Sequence, residues 1–378
     1  MAAAVLSQGF ALGVTVDSPI IIDAHIDTVQ RMLDGEVDIC ARLSDGHVDV
    51  PRMRAGGVSA VFFAIWIDQT YGPGAAYKRA MDLIGAVRRL TETCTDVELV
   101  TTAQGIRAAA RRGKLAVLMG VEGGHAIENS LHKLDALYNQ GVRYMTLTWN
   151  NGNDWAGASM DTNRAGGLSD FGRQVVQRMN ELGMLVDVSH VSDATFWDVL
   201  KTTTRPVIAS HSGCRALAEH PRNLTDDQLR ALAENQGVAG IIFYPVFLDE
   251  DFHRRYDEVN RRLEPDFAAI RARYPNQPGV ADFEIDKFRG EYLRNLDDLD
   301  IPDIGCLLDH IDHAVEVMGI DHVGLGSDFD GISVLPRPMK DATSLPLVGA
   351  GLESRGYSDS DVRKICGENF LRVLSGAR

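Results

Sequence analysis

The sequence predicts a closed (β/α)8 barrel, on three observations. Eight short, apolar, β-branched runs alternate with stretches of helical spacing, the runs are apolar along their whole length, and the polar residues gather at their carboxyl ends. The runs are 20–28, 58–67, 115–122, 142–149, 184–190, 206–211, 238–244 and 323–328. Helical periodicity fills 75–93, 130–140, 170–182, 193–202, 225–235 and 305–318, and another such stretch, 358–374, follows the last run. The first connection holds only a short helical piece near 50–55. Strands that are apolar on both faces belong to a parallel sheet wrapped by helices. Eight β/α units favour closure over an open doubly wound sheet, and no GxGxxG follows the first run.

A chain of 378 residues suits one such barrel with insertions, which runs from roughly 200 to more than 400 residues, so 1–378 is read as a single domain. One segment breaks the rhythm. Residues 245–304 separate the seventh run from its helix and are rich in Arg, Asp and Glu with a helical pattern. This is an inserted helical segment at the carboxyl rim, either a solvated surface helix or a lid or homodimer contact beside the site.

A formal net charge of −15 argues against a nucleic-acid partner, which requires clustered cations. No run approaches the roughly 18 apolar residues that span a bilayer, so no membrane partner is expected. The five cysteines, Cys40, Cys94, Cys214, Cys306 and Cys366, lack CxxC spacing, and their odd number argues against a fully paired framework. They read as core thiols in a cytoplasmic protein. The amino-terminal MAAAVLSQGFALGV has no cation before its broken apolar stretch and reads as a short arm rather than a signal peptide.

The residues with chemistry sit at strand ends. The first run ends in Asp23-Ala24-His25-Ile26-Asp27, the third in Glu122-Gly123-Gly124-His125, the fifth in Ser189-His190, the sixth in Ser210-His211-Ser212 and the eighth in Gly326-Ser327-Asp328-Phe329-Asp330. In a barrel these ends meet on one rim, where this fold builds its active sites. His25 and Asp27 are two apart and project to one side of an extended strand. Imidazole and carboxylate suit zinc and its neighbours, and so many donors exceed the needs of one tetrahedral ion. A natural division assigns His25 and Asp27 to a first ion and His190 and His211 to a second, with Glu122 bridging. Such a pair holds a hydroxide and polarises a carbonyl at neutral pH. Asp328 is then left to carry a proton to the leaving amine, with Asp330 as its rival.

The blocks DAHIDT, VDVPRMRAGGVSAVFFAIW, GVEGGHAIENSLHKLDALYNQGVRYMTLTWN, VDVSHVS, SHSGCRALAEHPRNLTDDQL and GLGSDFDG, in order from about residue 20 to 370, resemble those of the renal (membrane) dipeptidase family of the amidohydrolase superfamily. The resemblance implies zinc ligands at His25, Asp27, Glu122, His190 and His211, and an acid/base at Asp328. It adds Arg222, in HPRN, as the guanidinium that grips the free carboxylate of a dipeptide, a pairing that suits a planar bidentate donor. It also places Glu122 where many superfamily members carry a carbamylated lysine.

Three features depart from the family pattern. Leu147-Thr148-Trp149 stands where many members read Leu-Thr-His, which removes a histidine that stabilises the tetrahedral intermediate, although Trp149 keeps one N–H donor and a flat wall. The segment 245–304 is longer than usual. The chain ends in RVLSGAR, with no hydrophobic segment for a lipid anchor.

Weaker assignments complete the reading. Tyr244 at the end of the seventh run either contacts substrate or packs in the core, Trp66 and Asp68 either line the pocket or support it, and His125 orients the site or is purely structural. The remaining histidines lie on helices or connections and are not expected to be ligands. The function expected is a dipeptidase with two zinc ions per chain, manganese or cobalt being possible substitutes, acting on dipeptides that include L,D members. The alternatives are hydrolysis of N-acyl amino acids or cyclic amides, or an inactive metal-binding scaffold.

Overall fold

The computed structural model describes residues 19–164, 166–296 and 300–376. The strands are β1 (Ile22–Ile26), β2 (Ala60–Trp66), β3 (Val97–Leu99), β4 (Leu115–Glu122), β5 (Val142–Thr146), β6 (Leu185–Asp187), β7 (Ile208–Ser212), β8 (Val238–Ile241) and β9 (Val323–Leu325). They pair in parallel in the order β1-β2-β4-β5-β6-β7-β8-β9. The ends meet where Asp328 N donates to His25 O at 3.0 Å and Asp27 N donates to Phe329 O at 2.9 Å. Asp23 reinforces the seam by accepting from the backbone N–H of Ser327 at 2.8 Å and from its hydroxyl. The predicted eight-stranded barrel is therefore present, with one strand more than the sequence suggested.

That extra strand, β3, lies off the ring and pairs with the start of β4, Val97 opposite Leu115. With the helix Ala103–Arg111 it fills a connection left blank in the sequence reading. Three residues are too few to show alternation, and the helix has one large apolar side chain, Ile106, among alanines. Elsewhere the periodicity located helices well: Asp170–Leu182, Asp193–Thr202 and Val50–Ala55 have the expected bounds. The final stretch is helical as expected, with a local widening inside it. It divides into Asp359–Arg363, a wider turn over 364–368, and Asn369–Leu374.

Side-chain parity explains how the barrel positions its site. On β2 and β4, Ala60, Phe62, Ala116 and Leu118 pack with Tyr144 in one cluster, while Val61, Phe63, Ile65, Val117, Met119 and Val121 pack in the main core with the surrounding helices. Period-two alternation carries the first set onward to Trp66 and Glu122, the last residues of these strands. The same parity that fills the barrel thus aims these two side chains at its mouth.

The inserted segment folds as the paired helices Glu250–Arg273 and Pro278–Arg294. Phe252, Tyr256, Val259, Leu263, Phe267 and Ile270 recur at helical spacing on the first and meet Ile285 and Leu293 of the second in a small core of their own. The second helix lies directly on the barrel mouth. A Cβ at Gly279 would come within 2.9 Å of the Gln30 side chain, and one at Gly290 within 2.2 Å of Ser333 O. Of the readings offered for 245–304, the first helix keeps a solvent-exposed face, while the second forms a cover beside the site.

The cysteine reading also needs correction. Cys40 and Cys94 form a disulfide across 54 residues, with Cα atoms 5.7 Å apart, while Cys214, Cys306 and Cys366 are free thiols. Spacing along the chain carries no signal for such a pair, because the loop after β1 and the end of helix Ala76–Thr93 meet only in the fold. The amino-terminal arm and the last two residues of the tail lie outside the described residues. No described helix is long and apolar enough to cross a membrane.

Candidate active site

Six strand-end residues converge at the mouth around Glu122. Its Oε2 lies 3.3 Å from His25 Nε2, and its Oε1 lies 2.8 Å from His190 Nε2 and 3.6 Å from His211 Nε2. Asp27 Oδ2 is 3.3 Å from His25 Nε2. One carboxylate oxygen therefore faces the His25–Asp27 pair and the other faces the His190–His211 pair. Donor atoms within 4.8 Å of one another form the groups His25/Asp27/Glu122, Glu122/His190/His211 and His25/His211/Asp328.

The opposite edges of the three imidazoles decide what they present here. The Tyr144 hydroxyl donates to Ala24 O at 3.2 Å, so at 2.8 Å from His25 Nδ1 it accepts that N–H. The Ser210 hydroxyl donates to Asp187 Oδ2 at 2.6 Å and accepts from His211 Nδ1 at 2.9 Å. His190 Nδ1 faces the side-chain amide oxygen Oδ1 of Asn150 at 3.2 Å. Each ring thus carries its proton on Nδ1 and turns an Nε2 lone pair inward. The His190 and His211 Nε2 atoms then stand 3.0 Å apart with no proton between them, and His25 Nε2 is buried without a hydrogen-bond partner among the described residues. Three inward lone pairs beside two carboxylates repel one another unless cations lie between them. The donor set fits metal ions.

The backbone around Asp328 is shaped for this crowding. Asp328 and Asp330 hold φ of +63° and +65°, a left-handed conformation that aspartate tolerates better than most residues. A Cβ at Gly331 would lie 2.5 Å from Asp27 Oδ2 and 2.7 Å from Asp328 Oδ1, so only glycine fits there. Burial pushes the Asp328 carboxyl well above its ordinary range, and the charge of Asp27 adds to the effect. Asp330, the rival to Asp328, is occupied: it accepts from the Thr28 hydroxyl at 2.8 Å, His47 N at 2.6 Å and Arg31 Nη1 at 3.4 Å.

A cavity of about 350 Å³ opens over this centre. Asp27, Glu122, His190, His211 and Asp328 line it, as do Arg222, Trp149 and Tyr244. Arg222 is 3% exposed; its Nη2 donates to His211 O at 3.2 Å, and its Nη1 has no hydrogen-bond partner among the described residues. Burial pushes this guanidinium down to about 10. Trp149 meets Trp66 edge to face at 5.0 Å, so the two form one wall. Tyr244 lines the cavity while its hydroxyl hydrogen-bonds Tyr256, which fixes it against the insertion. Asp68 and His125 are not among the lining residues; the His125 ring is buried beside Asp68, and burial lowers it.

Sequence reasoning missed part of the lining. Asn150 follows Trp149 directly and was within reach of the same argument. Gln30 and Arg31 belong to the short helix after β1, and Asp282, Phe283, Asp286 and Arg289 come from the cover, whose inward face has no parity relation to the strands.

A family model described as membrane dipeptidase (peptidase family M19) matches residues 11–378. Among solved structures, one described as the dipeptidase AC, a metallopeptidase of family M19, is 26% identical, with a TM-score of 0.76 over 96% of this chain and 99% of that one. A metallopeptidase from Rhodobacter sphaeroides, liganded with a phosphinate mimic of the dipeptide L-Ala-D-Ala, is 25% identical, with a TM-score of 0.76 over 96% of this chain and all of its own. The probable dipeptidase PvdM from Pseudomonas aeruginosa is 25% identical, with a TM-score of 0.77 over 96% of both chains.

Proposed function

Since the chain belongs to the membrane dipeptidase family of metallopeptidases, we propose that it hydrolyses dipeptides with free termini at a pair of zinc ions, for which manganese or cobalt can substitute. The observation that carries this reading is the division of Glu122, one oxygen toward His25 and Asp27 and the other toward His190 and His211. His25 and Asp27 would hold one ion, His190 and His211 the other, with Glu122 shared between them. The chemistry such a pair supplies is polarisation of the scissile carbonyl and a water nucleophile competent near neutral pH.

The protein's own side chains do the rest. Arg222 turns its free Nη1 into the cavity and binds the substrate carboxylate in bidentate fashion, which fixes the peptide bond over the centre. Asp328 takes the proton released by the attacking water and returns it to the departing amide nitrogen, which cannot leave as an anion. Trp149 and Trp66 exclude water on one side, and Tyr244 with the cover closes the other. A cavity of about 350 Å³ is at the small end of ligand sites, which run roughly 300–1,000 Å³, and suits a dipeptide rather than a longer chain. The phosphinate bound by the Rhodobacter sphaeroides protein mimics an L,D-dipeptide, so L,D members belong in the proposed substrate set.

A library of L,L- and L,D-dipeptides, their C-terminal amides and N-acyl amino acids, assayed with metal content measured on the same sample, tests the proposal. Cleavage of free dipeptides by protein holding about two ions per chain is expected. Turnover confined to N-acyl amino acids would replace it with the related amidohydrolase reading.

A further inference from the structure

Cations and carboxylates both line the cavity, and on the cover side Asp282 and Asp286 stand among Arg31, Arg271 and Arg289. At one end, Arg222 lies beside His211, bonded to its carbonyl, and its charge acts on both His190 and His211. At the other end the cover contributes two carboxylates to the lining, Asp282 and Asp286, and the charge of Asp286 reaches Asp27 on the far side of Glu122. The two carboxylates are four residues apart on helix Pro278–Arg294, which places them on the same face one turn apart. Gly279 and Gly290 hold that helix against Gln30 and Ser333, so the carboxylates are fixed relative to the centre.

Their bonding differs. Asp286 is paired with Arg289 on its own helix. Arg289 in turn lies over the Phe267 ring at 4.7 Å, Arg271 is paired with Glu264 at 2.8 Å, and Arg31, which lies over the Phe283 ring, is paired with Asp45 at 2.6 Å and Asp330 at 3.4 Å. No hydrogen bond or ion pair from the described residues reaches Asp282. Arg271 and Arg289 act on it only through space, and burial together with the charge of Asp68 outweighs them and pushes its carboxyl up to about 6. A half-buried carboxylate in a cavity, lacking a bonded cation, gains most from a ligand that brings one. At the opposite end Arg222, a residue 3% exposed whose Nη1 has no hydrogen-bond partner among the described residues, points independently to an anionic ligand in the same cavity.

A dipeptide with its carboxylate on Arg222 and its peptide bond over Glu122 directs its amino-terminal residue toward the cover. We propose that Asp282, with Asp286 beside it, determines specificity for that residue and selects a cationic side chain, lysine or arginine. This rests on the dipeptidase reading above and adds the substrate class. The contact is an ion pair at the edge of the site; no bond is made or broken through it.

The test is kcat/KM for lysyl-, arginyl-, norleucyl-, citrullinyl- and glutamyl-alanine with the metal-loaded protein. Charge-assisted hydrogen bonds predict a preference of roughly tenfold or more for lysyl over norleucyl and for arginyl over citrullinyl. Asp282→Asn, which keeps the shape, should collapse both ratios toward one through KM, with metal content retained. Asp282→Lys should turn the preference toward glutamyl-alanine. Wild-type ratios near one, ratios that survive Asp282→Asn, or an equal loss on all five substrates would overturn the assignment while leaving the dipeptidase reading intact. Cleavage of none of the five would overturn both.

Discussion

The hydroxyl of Tyr144 lies 2.8 Å from His25 Nδ1 inside the barrel and fixes which nitrogen of that ring faces the site. It can do so because residue 120, one strand away, is glycine; a Cβ there would lie 2.0 Å from the Tyr144 ring. Tyr144→Phe removes the acceptor and frees the imidazole to rotate or change tautomer. Outer hydrogen bonds of this kind are worth roughly 10–100-fold in metal affinity. Titration against a competing chelator should show a loss of that order, and an unchanged affinity would mean that His25 is not a ligand through Nε2.

Glu122 touches both halves of the centre, whereas His190 touches one. Glu122→Ala should therefore lower the content of both ions, from about two per chain, while His190→Ala mainly affects one. Elemental analysis of the purified variants decides the point. Equal losses in the two proteins would remove support for the bridging role.

Asp328 and Asp330 share a backbone conformation but not a set of partners. Asp328→Asn should reduce kcat by about 10²–10⁴-fold with metal content and Tm preserved. Asp330→Asn should instead lower Tm, since Asp330 holds Thr28, Arg31 and the His47 backbone, and should cost much less in kcat. If the two effects fall in the reverse order, the proton transfer belongs to Asp330.

Arg222→Met should abolish most turnover of free dipeptides without changing metal content, because a buried guanidinium with a free Nη1 is replaced by an apolar chain. The wild-type protein should discriminate strongly against C-terminally amidated dipeptides. Comparable kcat/KM for acids and amides would show that Arg222 has another role.

Gly290 is the point where the cover touches the loop after β9. A methyl group there would meet Ser333 O at 2.2 Å, and Ser333 in turn contacts Tyr244 and Tyr256. Gly290→Ala should lower stability by about 1–3 kcal/mol, as overpacking does, and raise KM by displacing the cavity wall. Thermal melts and steady-state kinetics on the same sample test this, and a variant with wild-type Tm and KM would show that the cover is not seated as described.

The barrel and the cluster of donor residues at its mouth were legible in one dimension because both follow from short-range rules. Apolar runs buried on two faces mark parallel strands, and the fold brings their carboxyl ends together, so His25, Asp27, Glu122, His190, His211 and Asp328 could be named from strand ends alone. The small elements β3 and helix Ala103–Arg111 escaped because three residues and a row of alanines carry too little periodicity. What only the tertiary structure decided depends on neighbours distant in sequence. Cys40 and Cys94 meet across 54 residues, and Asp330 is drawn to His47 and Arg31. Tyr144 and Gly120 are complementary only once β4 and β5 lie side by side. The cover is the clearest case. Its periodicity announced a helix, and which face would meet the cavity was settled by Gly279 and Gly290, whose missing side chains let it settle against Gln30 and Ser333, residues far from it in sequence.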